Sequence, residues 1–291
     1  VEVRDGGGKL PIEVCGPLRG GRVVVDGSLS SQFVTGLLIA LPRAEGDSTV
    51  IVDGAVSTPY IEMTVSTLER FGVEIMHQCD DYTEFYIEGG QRFTPADYRI
   101  ECDWSAAAIM MIAGAIAGEV VIRNISMLSK QADTAVCRAL ERAGASIIVE
   151  QDRITVSHRE LHAFEFDAKN CPDLFPALVA LAAASEGMST IYGISRLAHK
   201  ESDRGEVLRE EYGKLGIEIE LDDEQDAMRI FGGMPSAADV DSHDDHRIAM
   251  SLAVTALRTE EPIAIRNAEC VAKSYPSFFE DLDSLKTNRK A

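Results

Sequence analysis

Two apolar patterns alternate along the chain. Four segments, SSQFVTGLLIAL, WSAAAIMMIAGAIAG, PDLFPALVALAAA and DHRIAMSLAVTAL, are apolar on most sides and predict buried helices. Each is followed by a β-prone run, STVIVDG, EVVIRNI, STIYGIS or PIAIRNA, which predicts a strand. A polar loop comes next (VSTPY, LSKQAD, AHKESD, VAKSYP), and then an amphipathic helix. Three of these helices run into a glycine and a further β-prone stretch: TLERFGVEI, ALERAGASI and YGKLGIEI. Their glycines, Gly72, Gly144 and Gly216, keep a constant spacing of 72 residues. Glycine is favoured just past a helix end because the backbone there turns left-handed. Two strands close each unit, and a short strand leads into the next. The predicted unit is thus helix, strand, helix, strand, strand, and the predicted class is α/β (α+β), with sheets packed around buried helices. Residues 1–16, VEVRDGGGKLPIEVCG, match the closing strands of a unit. Its helices would precede them, so the sequence is expected to be the back part of a longer protein.

Composition narrows the function classes. The chain has 291 residues, 45% apolar and 26% charged, with a formal net charge of −20. Those proportions support a packed core. Nucleic-acid binders carry a basic face, so the acidic balance argues against that class. A local basic cluster can still hold an anionic ligand within an acidic protein. The apolar run 104–118 is too short for a membrane span. The six cysteines are irregularly spaced with no CxxC, which predicts reduced thiols and a cytoplasmic setting. Most are expected to be buried fillers.

Chemistry-bearing residues gather at two places in each unit. One is the start of the buried helix: Ser30, Ser31 and Gln32; Ser105; Asp173; His246 and Arg247. The other is the loop before the amphipathic helix: Ser57 and Tyr60; Lys130 and Gln131; Lys200, Glu201 and Arg204; Lys273. Helix N-termini present free N–H groups and the positive dipole end, which suit phosphate or carboxylate. Singly, these residues have plain readings: serine caps, a first-turn acid after Pro172, a charged helix entry at KESDR. HDDHR (residues 243–247) has histidines in an HxxH spacing but no third ligand at helical spacing, so no metal site is expected. Recurrence at corresponding points of the repeat favours function.

The ordered set GSLSSQF, STPYIE, CPD, HKESDR, DDHRIAM and AKSYPSFFEDL resembles the 5-enolpyruvylshikimate-3-phosphate synthase family over the whole chain. The resemblance implies a two-domain enolpyruvyl transferase fold, an inside-out α/β barrel of repeated βαβαββ units, with the active site between the domains. Residues 1–102 would be a remnant of one domain, and 103–291 a nearly complete second domain of three repeats. The implied reaction moves the enolpyruvyl group of phosphoenolpyruvate to the 5-hydroxyl of shikimate 3-phosphate and releases phosphate. It needs no metal and no organic cofactor. Ser30, Ser31, Gln32, Ser57 and Tyr60 would hold shikimate 3-phosphate. Asp173 and Lys200 would contact the same substrate, Asp173 taking the hydroxyl proton. Arg196 stands at a substrate-contacting position. Glu201 would exchange a proton with the methylene carbon of phosphoenolpyruvate. Arg204, Arg247 and Lys273 would bind phosphoenolpyruvate, with His246 beside them as a further catalytic group. Partners would be these small molecules, with no nucleic acid or membrane, and the full-length protein would be a monomer. A further lysine and two arginines of the family fall in repeats ahead of Val1, so this chain alone is expected to be inactive. The alternatives are the sister UDP-N-acetylglucosamine enolpyruvyl transferase family, favoured less by SSQF, HKESDR and DDHR, and a non-catalytic fragment.

Overall fold

The computed structural model describes residues 2–4, 11–28, 30–78, 82–198 and 200–286. The chain divides into two compact units, Val1–Arg99 and Ile100–Ala291, each with its own apolar core. The first unit runs β1 (Glu2–Arg4), β2 (Glu13–Cys15), β3 (Arg22–Asp26), α1 (Ser31–Ala40), β4 (Ser48–Asp53), α2 (Thr58–Arg70), β5 (Met76–His77) and β6 (Glu84–Ile87). The second runs α3 (Trp104–Ala117), β7 (Glu119–Arg123), α4 (Val136–Arg142), β8 (Ser146–Val149), β9 (Arg153–Ser157), β10 (Glu165–Asp167), α5 (Phe175–Ala183) and β11 (Met188–Tyr192). It continues through α6 (Arg204–Lys214), β12 (Glu218–Asp222), β13 (Ala227–Phe231), β14 (Asp239–Asp241), α7 (His246–Thr255), β15 (Ala264–Arg266) and α8 (Phe278–Lys286).

The repeat is visible in the sheets. Strand orders β3-β4-β6-β5 and β10-β11-β13-β12 are the same arrangement, and β7-β9-β8 is that arrangement without its leading strand. The leading strand is parallel to its neighbour in β3–β4, β10–β11 and β14–β15, whereas the closing hairpins are antiparallel. In the second unit α3, α5 and α7 pack on one another. Every residue of α5 is buried, as are all of α7 except Arg247. Apolar burial of this kind contributes roughly 25 cal/mol per Å², which makes the three-helix centre the main stabilising element.

The first buried-helix expectation needs correction. In α1 only Ser31, Val34 and Leu38 are buried, and Phe33 is 58% exposed. Among the described residues of the first unit, α2 is the helix that packs on α1, so one face of α1 has no helix to lie against.

The three stop glycines are left-handed, with φ of +75, +88 and +80 at Gly72, Gly144 and Gly216. The next residue in each case returns its N–H to a carbonyl five residues back: Val73 to Leu68, Ala145 to Leu140 and Ile217 to Tyr212, all 3.0 Å. That is the Schellman closure. At Gly216 an added Cβ would also lie 3.2 Å from Ser236 Oγ. Three residues earlier, inside α6, Gly213 has open space where a Cβ would go. Opposite results are therefore expected from one substitution in one helix. Gly216→Ala should lower unfolding stability by about 1–2 kcal/mol, and Gly213→Ala should raise it by roughly 0.5–1 kcal/mol, both read from urea melts.

Candidate functional site

A second left-handed position repeats with the fold. The residue after β4, β7, β11 and β15 is Gly54, Asn124, Gly193 and Asn267, each with positive φ. Glycine and asparagine reach this conformation most easily. The chain turns sharply there, and after β4, β11 and β15 the loop that follows lies at the carboxyl end of a parallel strand pair, the usual ligand end of an α/β sheet.

In the first unit, the loops after β3 and β4 meet at that end, where Gly27 N–H donates to Asp53 O at 2.7 Å. Ser30 caps α1, its Oγ accepting from Gln32 N–H at 3.2 Å. Ser31 is buried and Gln32 exposed. Ser57 precedes α2 in a left-handed conformation, φ 53, and its carbonyl accepts from Tyr60 N–H at 3.0 Å. A non-glycine residue in this region stores local strain. The five predicted shikimate 3-phosphate residues thus share one end of the β3–β4 pair.

In the second unit, the corresponding ends gather Asp173 (after β10), Lys200, Glu201 and Arg204 (after β11), and Asp245, His246 and Arg247 (after β14). Arg204 is the hub. Its side chain is 1% exposed and meets three carboxylates: Asp245 Oδ2 from Nε at 2.7 Å, Asp173 Oδ1 at 2.8 Å and Glu201 Oε2 at 2.7 Å. Asp245 is fully buried, caps α7 through Arg247 N–H at 2.9 Å, and accepts from Ser202 Oγ at 3.2 Å. Asp173 also faces Lys200 Nζ at 3.4 Å and Arg247 at 3.3 Å. Charge-assisted pairs of this kind are the strong ones. Lys273, exposed at the end of the 3₁₀ turn after β15, donates to Asp244 O at 2.7 Å.

The electrostatics separate the acids. Burial by itself would raise the Asp173 pKa, but Arg247, Lys200 and Arg204 outweigh it and hold the carboxyl far below the usual range. Burial also opposes ionisation of Asp245, and the Arg204 hydrogen bond and charge again prevail, lowering its pKa. His246 moves the other way for a base. Burial, then the Arg247 charge, lowers its pKa, so the imidazole is neutral at pH 7. Its Nδ1 is buried, 3.9 Å from Glu201 Oε1 and from Asp245 Oδ1, with no hydrogen-bond partner among the described residues. Arg196 lies within reach of the Asp173 charge.

Other candidates have structural duties. Gln131 Oε1 accepts from Trp104 N–H at 2.9 Å and its Nε2 donates to Cys102 O at 2.8 Å, so it secures the entry to α3. His243 Nε2 pairs with Glu211 Oε1 at 2.9 Å, away from the Glu201 and Asp245 that face His246. Among the described residues, Glu210, Glu211 and His243 bring ligand atoms within 4.8 Å of one another. Lys214 Nζ already sits 2.7 Å from Glu211, which neutralises the acid a cation would need. Cys137, Cys171 and Cys270 are buried, as expected, but Cys15 is exposed; burial pushes the Cys137 thiol up to about 11. His199 and Cys79 lie outside the described residues. Asp245 stands in DDHRIAM with no local sign in the sequence that it pairs with Arg204. No helix among the described residues is long and apolar enough to cross a membrane.

Repeated α/β units that bring helix N-termini and basic loops to the carboxyl ends of parallel strand pairs place the chain with the enolpyruvyl transferases in fold. The EPSP synthase of Acinetobacter baumannii superposes with a TM-score of 0.78 at 27% identity, over 98% of this chain and 67% of that one. The enolpyruvyl transferase NikO of Streptomyces tendae shares the fold at a TM-score of 0.73 and 21% identity, over 92% of this chain and 64% of that one. Residues 1–282 match the family model EPSP synthase (3-phosphoshikimate 1-carboxyvinyltransferase), and the chain belongs to that family. The 3-phosphoshikimate 1-carboxyvinyltransferase of Clostridium novyi is 37% identical over 290 residues, 98% of this chain and 65% of the relative. That of Methanocella arvoryzae is 38% identical over 283 residues, 96% and 66%. The chain thus spans just under two thirds of the length of these relatives.

Proposed function

We propose that this chain carries the part of an enolpyruvyl-transfer site that holds phosphoenolpyruvate and moves its protons, together with the shikimate 3-phosphate residues of its first unit. The observation that carries the reading is the single constellation of Asp173, Lys200, Glu201, Arg204, Asp245 and Arg247 around one buried guanidinium. Arg204, expected as a phosphoenolpyruvate contact, is sealed among three acids, and in this reading it is the strut that aims them. Among the described residues, Arg247, Lys200 and exposed Lys273 are cations placed to meet phosphate and carboxylate groups. Glu201 has one oxygen fixed by Arg204 and the other towards His246, as an acid needs for delivering a proton to the methylene carbon. The 5-hydroxyl of shikimate 3-phosphate then bonds to the adjacent carbon and gives its proton to Asp173. Asp173 is too weak a base while three cations surround it. Substrate anions that draw Lys200 and Arg247 towards themselves raise its proton affinity at the step that needs it. Return of the methyl proton to Glu201 restores the double bond as phosphate leaves. Ser30, Ser31, Gln32, Ser57, Tyr60 and Arg196 are assigned to shikimate 3-phosphate. The reading includes a cytoplasmic, monomeric enzyme working without metal or cofactor.

The test is phosphate release from shikimate 3-phosphate and phosphoenolpyruvate. The chain alone is expected to stay at background, because the family's further lysine and two arginines are not in it, and preorganised cations lower the barrier by kilocalories each. A chimera that supplies the remaining third from the Clostridium novyi relative is expected to turn over with shikimate 3-phosphate and not with UDP-N-acetylglucosamine. Turnover with the UDP-sugar, or comparable turnover by the chain alone, overturns the reading.

A further inference from the structure

One buried acid on α6 has no part in the proposed chemistry and yet reaches the loop that carries it. Glu211 has a fully buried side chain. Its Oε1 accepts from His243 Nε2 at 2.9 Å and from Lys214 Nζ at 2.7 Å, and its Oε2 accepts from Asp241 N–H at 2.9 Å. Arg204 stands two turns earlier on the same face of the helix, and its Nε donates to Asp245 Oδ2 at 2.7 Å. One helix face thus grips residues 241–245 at both ends. Between the grips, His243 and Asp244 have φ of 51 and 58. Among the described residues this is the one place where two successive non-glycine residues are left-handed. That conformation costs energy at each residue and persists only where neighbours hold it. His243 N–H and Asn267 Nδ2 donate to Asp241 Oδ1 at 2.8 and 3.0 Å, tightening the same loop. The loop decides where α7 begins, because Asp245 closes it with an N–H bond to Ser242 O at 2.9 Å and then caps Arg247 N–H. The repeat supplies a comparison. Five positions before the stop glycine, Glu211 corresponds to Thr67 in α2 and Ala139 in α4. Packing of the unit therefore does not call for an acid there; the acid occurs in the helix that lies beside this loop.

We infer that Glu211 is a positioning residue of the site: through Asp241 N–H and the His243 ring it holds the left-handed 243–244 turn, and so sets where His246 and Arg247 enter the constellation around Arg204. The inference rests on the roles proposed for His246 and Arg247. Glu211 touches no substrate in this scheme. Without it, Asp241 N–H and His243 lose their acceptor, Arg204 alone grips the loop from α6, and the turn is free to relax towards right-handed backbone. The first turn of α7 then moves with it. A displacement of about 1 Å in groups that meet a substrate costs on the order of 10²-fold in rate.

The test uses this chain and compares Glu211→Ala with Gly216→Ala, which weakens the end of the same helix and would place its Cβ against Ser236 rather than the loop. The first readout is amide hydrogen exchange by NMR. Local opening raises exchange at the loop alone, whereas a general loss of stability raises the slow core amides together. Glu211→Ala should speed exchange of Asp245 and Arg247 N–H by roughly 10–100-fold relative to the amides of α5, the range for releasing one or two strained residues. Gly216→Ala should leave that ratio at the parent value. Glu211→Gln, which keeps an oxygen for Asp241 N–H, should fall close to the parent. His243→Asn is too short to reach Glu211 but accepts left-handed backbone. The His243 side chain is 38% exposed, so this variant serves if Glu211→Ala folds poorly, and it should move the ratio the same way by a smaller factor. The second readout is calorimetric binding of phosphoenolpyruvate, which should weaken roughly tenfold in Glu211→Ala and hold in Gly216→Ala. An exchange ratio unchanged in both Glu211→Ala and His243→Asn overturns the inference whatever phosphoenolpyruvate does, and so does an equal rise in Gly216→Ala. An affinity that stays at the parent value while the loop opens overturns it as well. The expected exchange pattern in a chain whose parent form binds no phosphoenolpyruvate upholds the hold of Glu211 on the loop and overturns the anion-holding role on which the proposed function depends.

Discussion

Arg204→Met is expected to lower the unfolding stability of the 100–291 unit by about 3–5 kcal/mol at pH 7, the usual cost of removing one partner from a buried ion pair. Methionine fills much of the same volume, so the loss reports charge rather than a cavity. Asp245, whose side chain is fully buried, keeps Ser202 and the Arg247 backbone N–H as partners but loses its cation. The pH dependence gives the sign. In the parent chain the Asp245 pKa is depressed, so its contribution is present above the unfolded carboxyl range and is lost as pH falls through the folded value. In the variant, uncompensated burial raises that pKa, and the acid destabilises most when it is forced to ionise. The gap between the two proteins should therefore be widest at neutral pH and narrow in acid. Urea melts at pH 7 and pH 4.5 measure it. A loss under 1 kcal/mol at pH 7, or a gap that widens in acid, would show that Arg204 is not the electrostatic hub. Arg204→Lys should recover little, since one ammonium cannot span three carboxylates.

Glu201→Gln should leave stability nearly unchanged and reduce kcat for phosphate release by roughly 10²–10⁴-fold, the range for losing a general acid or base. The side chain is 39% exposed and one oxygen rests 2.7 Å from Arg204, a contact a glutamine oxygen can keep. The amide retains shape and polarity but cannot carry a proton to or from the methylene carbon. KM for both substrates should move by no more than a few-fold, because the proposed function gives Glu201 the proton transfer and not the anionic groups. The measurement is steady-state turnover of the chimera described above, with and without the substitution. Turnover within a few-fold of the parent would make Glu201 only a partner for Arg204.

Much of the fold was legible because its signals are local. Gly72, Gly144 and Gly216 mark helix ends through a backbone conformation that one residue decides, and each returned the same hydrogen bond in the structure. The alternation of apolar helix and β-prone run likewise reflects preferences acting over a few residues, and it led to the unit order and the α/β class. A second signal is equally local: the Gly or Asn closing VDG, RN, YG and RN, which turns the chain into each polar loop. The candidate site was legible as a set of loops, since the residues recur at equivalent points of the repeat.

How each charged residue is buried and paired depends on packing. The sequence presents Arg204 and Arg247 alike, as cations near helix starts. The structure seals one among three acids, with a partner 41 residues away, and leaves the other partly open, paired with an acid 74 residues away. Those distances in sequence are crossed only when α5, α6 and α7 pack, so no local pattern carries them. The same holds for Asp133, which reads as a plain turn acid until the start of α3 packs against its turn and Ser105 bonds its carboxyl. It holds in reverse for α1, whose apolar sequence promised burial that no described neighbour provides. Backbone conformation is decided within a turn or two of the chain and can be read from residue order. Burial and charge pairing depend on which distant segments meet, and only the folded molecule determines that.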